Sequence, residues 1–171
     1  MLTFRDITLA DRELVMPMVQ AFYRTDAVDH PVDQAILDRS FLAAADHAEP
    51  LLRGVLLFQD KEPVGYIYLT QCYSAEVGGR CVFIEEIFLL EPFRGMGLGH
   101  QIMAWIESQY PSARRFRLEV TEVNQRAVAL YEKSGYQYLH YDQMVLDKIS
   151  GGIEEHIYCL LYTSPSPRDT R

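Results

Sequence analysis

A segment with three alternating glycines, EPFRGMGLGH at residues 91–100, constrains the fold of this chain more than any other feature. The apolar run before it is typical of a strand, and the residues after it repeat apolar side chains at helical spacing. Gly95, Gly97 and Gly99 lack β-carbons, so several backbone N–H groups are free to line a concavity at the positive end of the helix dipole. Arg94 adds a full positive charge. The loop therefore predicts a diphosphate site; a strand-to-helix turn that binds nothing is the alternative.

Two other phosphate-binding motifs fit this loop poorly. A P-loop requires Lys and then Ser or Thr after its last glycine, whereas His100 and Gln101 follow Gly99. A dinucleotide fingerprint, G-x-G-x-x-G, that starts at Gly95 would require glycine at position 100. Glu119, about twenty residues further on, keeps a dinucleotide site open as an alternative. That fingerprint follows the first strand of a βαβ unit, however, whereas this loop lies in mid-chain after several predicted strands.

Hydrophobic periodicity predicts the element order β-α-α-β-β-β-α-β-α-β-β. This order indicates a mixed α/β domain without an internal repeat rather than a regular alternation of strands and helices. Residues 51–60 and 62–74 are predicted to form an antiparallel hairpin. The predicted strands cover residues 2–8, 51–60, 62–74, 81–90, 115–120, 136–141 and 143–148, and the predicted helices cover 9–24, 30–46, 98–109 and 124–135.

Length, charge and cysteine usage exclude several classes of function. The 171 residues suffice for one globular domain, and a net charge of −8 argues against binding nucleic acid. No run approaches the roughly 18 apolar residues of a membrane span, and charges within the first twenty residues argue against a secretory signal. We therefore expect a cytoplasmic protein without a membrane partner. Cys72, Cys81 and Cys159 lack the spacing of a metal site, so reduced thiols and no bound metal are expected.

The end of the chain changes composition abruptly. Residues 159–171, CLLYTSPSPRDTR, are rich in Ser, Pro and Thr and resemble the translation of a sequencing adapter. A genuine disordered tail is the alternative. We therefore predict one domain over residues 1–148 and a disordered, partly artefactual tail over residues 149–171.

Two segments together resemble a known family. The segment IEEIFLLEPFRGMGLGHQIMAWIE is similar to the acetyl-CoA-binding region of the GNAT superfamily of N-acetyltransferases, with Arg94, Gly97 and Gly99 at the signature positions. The segment LEVTEVNQRAVALYEKSGY, residues 118–136, is similar to the strand and helix that follow in that family. The resemblance covers about residues 1–148. It implies an α/β fold with a mixed, mainly antiparallel central sheet flanked by helices.

The resemblance also implies how acetyl-CoA would be held as co-substrate. The backbone of the glycine loop would bind its diphosphate, the backbone N–H of Leu89 would polarise the thioester carbonyl, and Asn124 would contact the coenzyme arm. Asn124 is also a natural helix N-cap, and the two roles are compatible. The implied binding residues are Leu89, Arg94, Gly95, Met96, Gly97, Leu98, Gly99 and Asn124.

Direct transfer to an amine through a tetrahedral intermediate also needs a base and an acid. Glu85 and Glu86 are adjacent on the strand CVFIEEIFLL, where successive side chains point to opposite faces, so only one is expected to face the acceptor cleft. The resemblance favours Glu85 as the catalytic carboxylate and leaves Glu86 a solvent or structural role. It makes Tyr131 the general acid. The alternatives are that both carboxylates are ordinary edge charges or partners of Arg80 or Arg117, and that Tyr131 is a core residue.

The acceptor is the least defined partner. The loop at residues 22–31 carries Tyr23, Asp26, Asp29 and His30, which suit a cationic amine of a small molecule or peptide. The oligomeric state is left open, with a homodimer among the options. A non-catalytic CoA-binding regulatory module and a nicotinamide oxidoreductase are the competing functions.

Overall fold

A computed structural model describes residues 1–25, 27–28, 30–48 and 51–148 of the chain. The chain divides into two compact units, Met1–Gln137 and Tyr138–Arg171. All the helices and strands of the described residues lie in the first unit. None of the described helices is both long and apolar enough to cross a membrane.

The elements of the first unit follow the predicted order as far as the fourth helix. Asn124 is the N-cap of that helix, and its side-chain oxygen accepts a hydrogen bond from the Ala127 N–H at 3.3 Å. The strands are β1 (Leu2–Asp6), β2 (Leu52–Gln59), β3 (Glu62–Ser74), β4 (Gly79–Leu89) and β5 (Arg115–Leu118), and the α-helices are α1 (Arg12–Phe22), α2 (Gln34–Ala45), α3 (Leu98–Gln109) and α4 (Gln125–Lys133).

The five strands form one sheet in the order β1-β2-β3-β4-β5, and only β4 and β5 run parallel. The predicted hairpin is present, with Asp60 and Lys61 both at positive φ in the turn that joins β2 to β3. The predicted class, a mixed and mainly antiparallel sheet with flanking helices, is therefore confirmed. The β4–β5 pairing stops at Ile84 and Leu118, although β4 continues to Leu89. An opening is thus left between these two strands.

A β-bulge interrupts the pairing of β3 with β4. Tyr68 pairs with Glu86 and the next residue, Leu69, pairs with Ile84, so Glu85 is an extra residue without a partner of its own. An extra residue in one strand shifts the alternation of its side chains by one position. Side chains of β4 that would share one face in a regular strand therefore lie on opposite faces when they stand on either side of Glu85.

Each face of the sheet carries its own hydrophobic core. The exchange at the bulge is visible in the second core, because Ile84 belongs to it and Ile87 packs against it although the two are three residues apart. The first core packs α1 and α2 on one face and includes Val15, Val19, Phe41, Leu56, Tyr66, Tyr68 and Phe88. The second core packs α3 on the other face and includes Val55, Leu57, Ile67, Leu69, Ile102, Met103 and Ile106.

The last two predicted strands, residues 136–141 and 143–148, are wrong. The described residues from 137 to 148 contain neither strand nor helix, and their apolar side chains are exposed, with Met144 at 96%. Alternating apolar residues form a strand only where another strand pairs with their backbone, and the described residues of this segment have no such pairing. The single domain over residues 1–148 remains a prediction, and the predicted tail lies outside the described residues.

Candidate active site

One cavity of about 990 Å³ gathers most of the predicted site residues. Its walls come from the end of α1, the second half of β4, the glycine loop, the start of α3, the end of β5 and α4. Among its lining residues are Tyr23, His30, Glu85, Glu86, Leu89, Arg94, Gly95, Gly97, Gly99, Asn124, Arg126 and Tyr131. The two remaining loop residues differ: Met96 is exposed, whereas Leu98 is buried at the start of α3.

The glycine loop has the backbone of an anion site. Gly95 and Gly97 adopt φ of 81° and 78°, in the left-handed region that favours glycine, and Gly97 is the N-cap of the 12-residue helix α3. A β-carbon at Gly97 would meet no atom within 4 Å, so the space beside this N-terminus is open. The first N–H groups of a helix have no intrahelical acceptor and carry a partial positive charge. An anionic group is therefore favoured here.

Two arginines lie against this loop. The Arg94 Nε donates to the Leu89 carbonyl at 2.7 Å, and its guanidinium carbon lies 5.3 Å from the centre of the Phe88 ring. Arg94 thus holds the loop to the end of β4 as well as lining the cavity. A β-carbon on Gly95 would lie 2.5 Å from an Arg126 nitrogen, which places the Arg126 guanidinium beside the loop. The sequence reasoning missed Arg126, because only the packing of α4 brings it there.

The backbone of Leu89 faces the opening between β4 and β5. In antiparallel pairs, residues alternately direct their hydrogen-bonding groups toward the partner strand and away from it. The Leu90 N–H donates to the Val64 carbonyl on the β3 side at 2.8 Å, so the Leu89 N–H points away from β3. Because β4 no longer pairs with β5 beyond Ile84, this N–H is directed to the opening. Such a donor suits a developing negative charge on oxygen.

Both carboxylates of the pair at residues 85 and 86 line the cavity, so the expectation that only one could do so is wrong. The bulge at Glu85 is the reason, because it brings the two adjacent side chains to the same face of β4. The Thr70 hydroxyl on β3 donates a hydrogen bond to the Glu85 carboxylate at 2.8 Å. The Tyr66 hydroxyl, four residues earlier on the same face of β3, donates a hydrogen bond to the Glu86 carboxylate at 2.5 Å. Neither carboxylate pairs with Arg80 or Arg117 among the described residues.

Glu86 is buried, with 8% of its surface exposed, and it also accepts a hydrogen bond from the Tyr23 hydroxyl at 2.7 Å. Burial raises the pKa of Glu86 above its ordinary value, the two tyrosine hydroxyls oppose this by favouring the charged form, and the nearby Glu85 raises it further. Glu85 itself is exposed. The pair thus offers one buried and one accessible carboxyl group in the same cavity.

The raised pKa of Glu86 predicts a pH dependence of folding stability. Glu86 holds its proton more tightly in the folded state than in the unfolded state. The contribution of this protonation to the free energy of unfolding is therefore complete below the unfolded-state pKa, near 4.5, and is lost as pH rises through the folded-state pKa. We expect the unfolding free energy of the wild type, minus that of Glu86→Gln, to decrease as pH rises above this value. Chemical denaturation of both proteins at several pH values between about 4 and 8 measures the difference.

Glu62→Gln is the matched control, because Glu62 is an exposed carboxylate on β3 that does not line the cavity. The difference between wild type and this control should change little over the same range. A wild-type advantage over Glu86→Gln that grows with pH would contradict the assignment of Glu86 as a carboxyl whose charged form is disfavoured.

Tyr131 lies on the cavity wall formed by α4. Its side chain is partly buried against the core beneath α3, and this burial raises the pKa of its hydroxyl. Its ring centre is 6.1 Å from that of Tyr136. A phenol in this position keeps its proton at neutral pH and can donate it.

The predicted acceptor loop is only partly described. Tyr23 and His30 line the cavity, while Asp26 and Asp29 lie outside the described residues. In the described part of the chain, no three His, Cys, Asp or Glu side chains come together as they would around a metal ion.

Comparison with known families agrees with this arrangement. The model of the acetyltransferase (GNAT) family matches residues 15–136, which include β4, the glycine loop and α4. This chain belongs to the GNAT family. The resemblance that the two sequence segments indicated is therefore confirmed.

Two curated N-acetyltransferases and one solved structure are similar to this chain. An aminoalkylphosphonate N-acetyltransferase of Salmonella typhimurium is 29% identical over 103 residues, which are 57% of this chain and 65% of the relative. A thialysine N-epsilon-acetyltransferase of Mus musculus is 34% identical over 76 residues, or 43% of this chain and 44% of the relative. The matched segments thus span less than two thirds of either relative.

The solved structure is that of a predicted acetyltransferase from Clostridium acetobutylicum with acetyl-CoA. It has a TM-score of 0.68 at 14% identity and covers 85% of this chain and 96% of its own. At this identity the similarity shows the shared fold.

Proposed function

We propose that this protein transfers an acetyl group from acetyl-CoA to the primary amine of a small molecule or peptide. The observation that carries the proposal is one cavity that contains the open N-terminus of α3 at Gly97, two carboxylates and a tyrosine. Both relatives are named as N-acetyltransferases, and the similar solved structure contains acetyl-CoA.

The residues of the loop fit the diphosphate of a coenzyme. Residues 94–99 offer backbone N–H groups at a helix N-terminus, and Arg126 adds a guanidinium beside Gly95. Asn124 lies on the same wall and would contact the coenzyme arm. Gly99 lets α3 approach α4 closely, because a β-carbon there would lie 2.7 Å from the Leu130 side chain. When bound, acetyl-CoA supplies an activated acetyl thioester for direct transfer to the amine.

The chain supplies a donor for the developing oxyanion, a base and an acid. The Leu89 N–H would stabilise negative charge on the carbonyl oxygen, a contribution of ~3 kcal/mol in comparable sites. An alkyl ammonium must lose a proton before it attacks, and Glu85, directly or through water, would accept that proton. The Tyr131 hydroxyl would donate its proton to the departing sulfur as the C–S bond breaks. The second proton, which the attacking nitrogen loses as the amide forms, would return to Tyr131 directly or through water.

Thiol release with acetyl-CoA and a panel of polyamines, aminoglycosides, amino acids and peptides tests the proposal. We expect release that depends on at least one amine and on the presence of Tyr131. Thermal stabilisation by acetyl-CoA without release from any amine would contradict transfer and support the alternative, a regulatory module that only binds the coenzyme.

A further inference from the structure

We infer that the acceptor is a diamine whose two ammonium groups face Glu85 and Glu86, so that Glu86 determines specificity. The inference rests on the proposed acetyl transfer and names the class of its acceptor.

The bulge in β4 is the first observation. In a regular strand, Glu85 and Glu86 would lie on opposite faces, and at most one would reach the cavity. The extra residue brings both to one wall, and both line the cavity. Two negative charges side by side repel each other, and a ligand with two positive charges can neutralise both of them, whereas a single ammonium group leaves one negative charge uncompensated.

The second observation is a difference in depth. Glu85 is exposed, whereas Glu86 is 8% exposed and fixed by the hydroxyls of Tyr23 and Tyr66. Each carboxylate oxygen can accept more than one hydrogen bond, so these two donors leave acceptor capacity on Glu86 for a ligand N–H. The cavity therefore offers one deep and one shallow anchor for positive charge.

A buried hydroxyl without a partner supports a ligand at the deep anchor. Tyr68 is 2% exposed, and its hydroxyl has no hydrogen-bond partner within the described part of the chain. Its ring packs edge-on to that of Tyr66 at 5.0 Å, and the charge of Glu86 adds to the effect of burial in raising the pKa of Tyr68. Tyr68 is not itself a lining residue of the cavity, so its hydroxyl lies behind Glu86. A buried hydroxyl left unpaired costs free energy, which a water that joins it to a ligand at Glu86 would recover.

The basic side chains of the cavity lie elsewhere on its wall. Apart from His30, the described basic residues that line it are Arg94, His100, Arg126 and Lys133, which belong to the glycine loop, α3 and α4. The cavity is thus divided into a basic part that suits a diphosphate and an acidic part at the bulge. An acceptor with an anionic tail, such as an aminoalkylphosphonate, would meet the carboxylate pair unfavourably.

Three acceptors of equal chain length test the inference: 1,4-diaminobutane, 1-aminobutane and 4-aminobutanoate, with a cationic, neutral and anionic tail. Calorimetry with the CoA-saturated protein should show the diamine binding at least about tenfold more tightly than 1-aminobutane, as expected for a hydrogen-bonded charge. The anionic compound should bind most weakly. Glu86→Gln should reduce the ratio of diamine to 1-aminobutane affinity by about tenfold, while Glu62→Gln should leave that ratio unchanged.

Measurement of thiol release with acetyl-CoA tests the proposed acetyl transfer separately from the preference for a diamine. Equal affinities for the diamine and 1-aminobutane, or no binding of the diamine, would overturn the inference. If thiol release with 1-aminobutane persists in that case, the proposed transfer stands without a diamine acceptor. A clear diamine preference without thiol release from any amine would instead overturn the transfer.

Discussion

Gly97→Glu is expected to abolish the thermal stabilisation that acetyl-CoA gives to the wild-type protein. Gly97 caps α3 at φ 78°, and a side chain there would extend into the open space beside the helix N-terminus. A carboxylate in that space would occupy the anion site and repel a diphosphate. Like charges brought together cost several kcal/mol, so we expect affinity to fall at least about 100-fold. Thermal shift with increasing acetyl-CoA measures the effect, because a ligand that binds only the folded state raises its stability.

Gly78→Glu provides the matched control. Gly78 also has a positive φ, 60°, and also has no atom within 4 Å of a built β-carbon, but it does not line the cavity. The two variants therefore carry the same charge change and similar backbone strain. We expect Gly78→Glu to lose some stability and to keep the full shift with acetyl-CoA. A full shift in Gly97→Glu would refute the assignment of the loop.

Tyr131→Phe is expected to lower kcat by about 100-fold, within the range for loss of a general acid. The variant keeps the ring that packs against the core beneath α3 and removes only the hydroxyl on the cavity wall. The KM for acetyl-CoA should change by less than about threefold, because the proposed contact acts on the leaving sulfur rather than on the bound coenzyme. Steady-state thiol release with a saturating amine separates the two parameters.

Tyr136→Phe tests whether removing the hydroxyl of any partly buried tyrosine in this region would have the same effect. Tyr136 lies 6.1 Å from Tyr131 between ring centres, but it does not line the cavity, and its hydroxyl has no hydrogen-bond partner among the described residues. We expect wild-type turnover from this variant. Equal turnover in Tyr131→Phe and the wild type would leave Tyr131 a core residue and remove the proposed acid.

The sequence predicted the elements that have a strong local signal. The glycine loop, the hairpin turn at Asp60 and Lys61, and the cap at Asn124 depend on residues adjacent in the chain, and all three are present. The alternation over residues 136–148 looked the same as that of a true strand. Whether such a segment pairs depends on a free backbone edge elsewhere in the fold, and a single segment carries no information about that.

The positions of the carboxylates on the acceptor side of the site depend on how β4 pairs with β3. This pairing register cannot be read from the sequence of either strand alone. The sequence of β4 does not mark Glu85 as the extra residue of a bulge. Strict alternation therefore placed Glu86 on the face of β4 opposite to that of Glu85, away from the cavity. The segment GYIYLT in β3 did contain a usable signal, since Tyr66 and Tyr68 alternate onto one face and could have been expected opposite a buried polar group. Arg126 likewise reaches the glycine loop only through the packing of α4.

The most direct test of the central claim is a crystal structure of this protein with acetyl-CoA. We expect the diphosphate oxygens to lie at hydrogen-bonding distance, about 2.7–3.2 Å, from backbone nitrogens of residues 95–99, and the thioester oxygen to face the Leu89 N–H. Coenzyme bound elsewhere, with the space beside Gly97 filled by the protein's own side chains, would contradict the account.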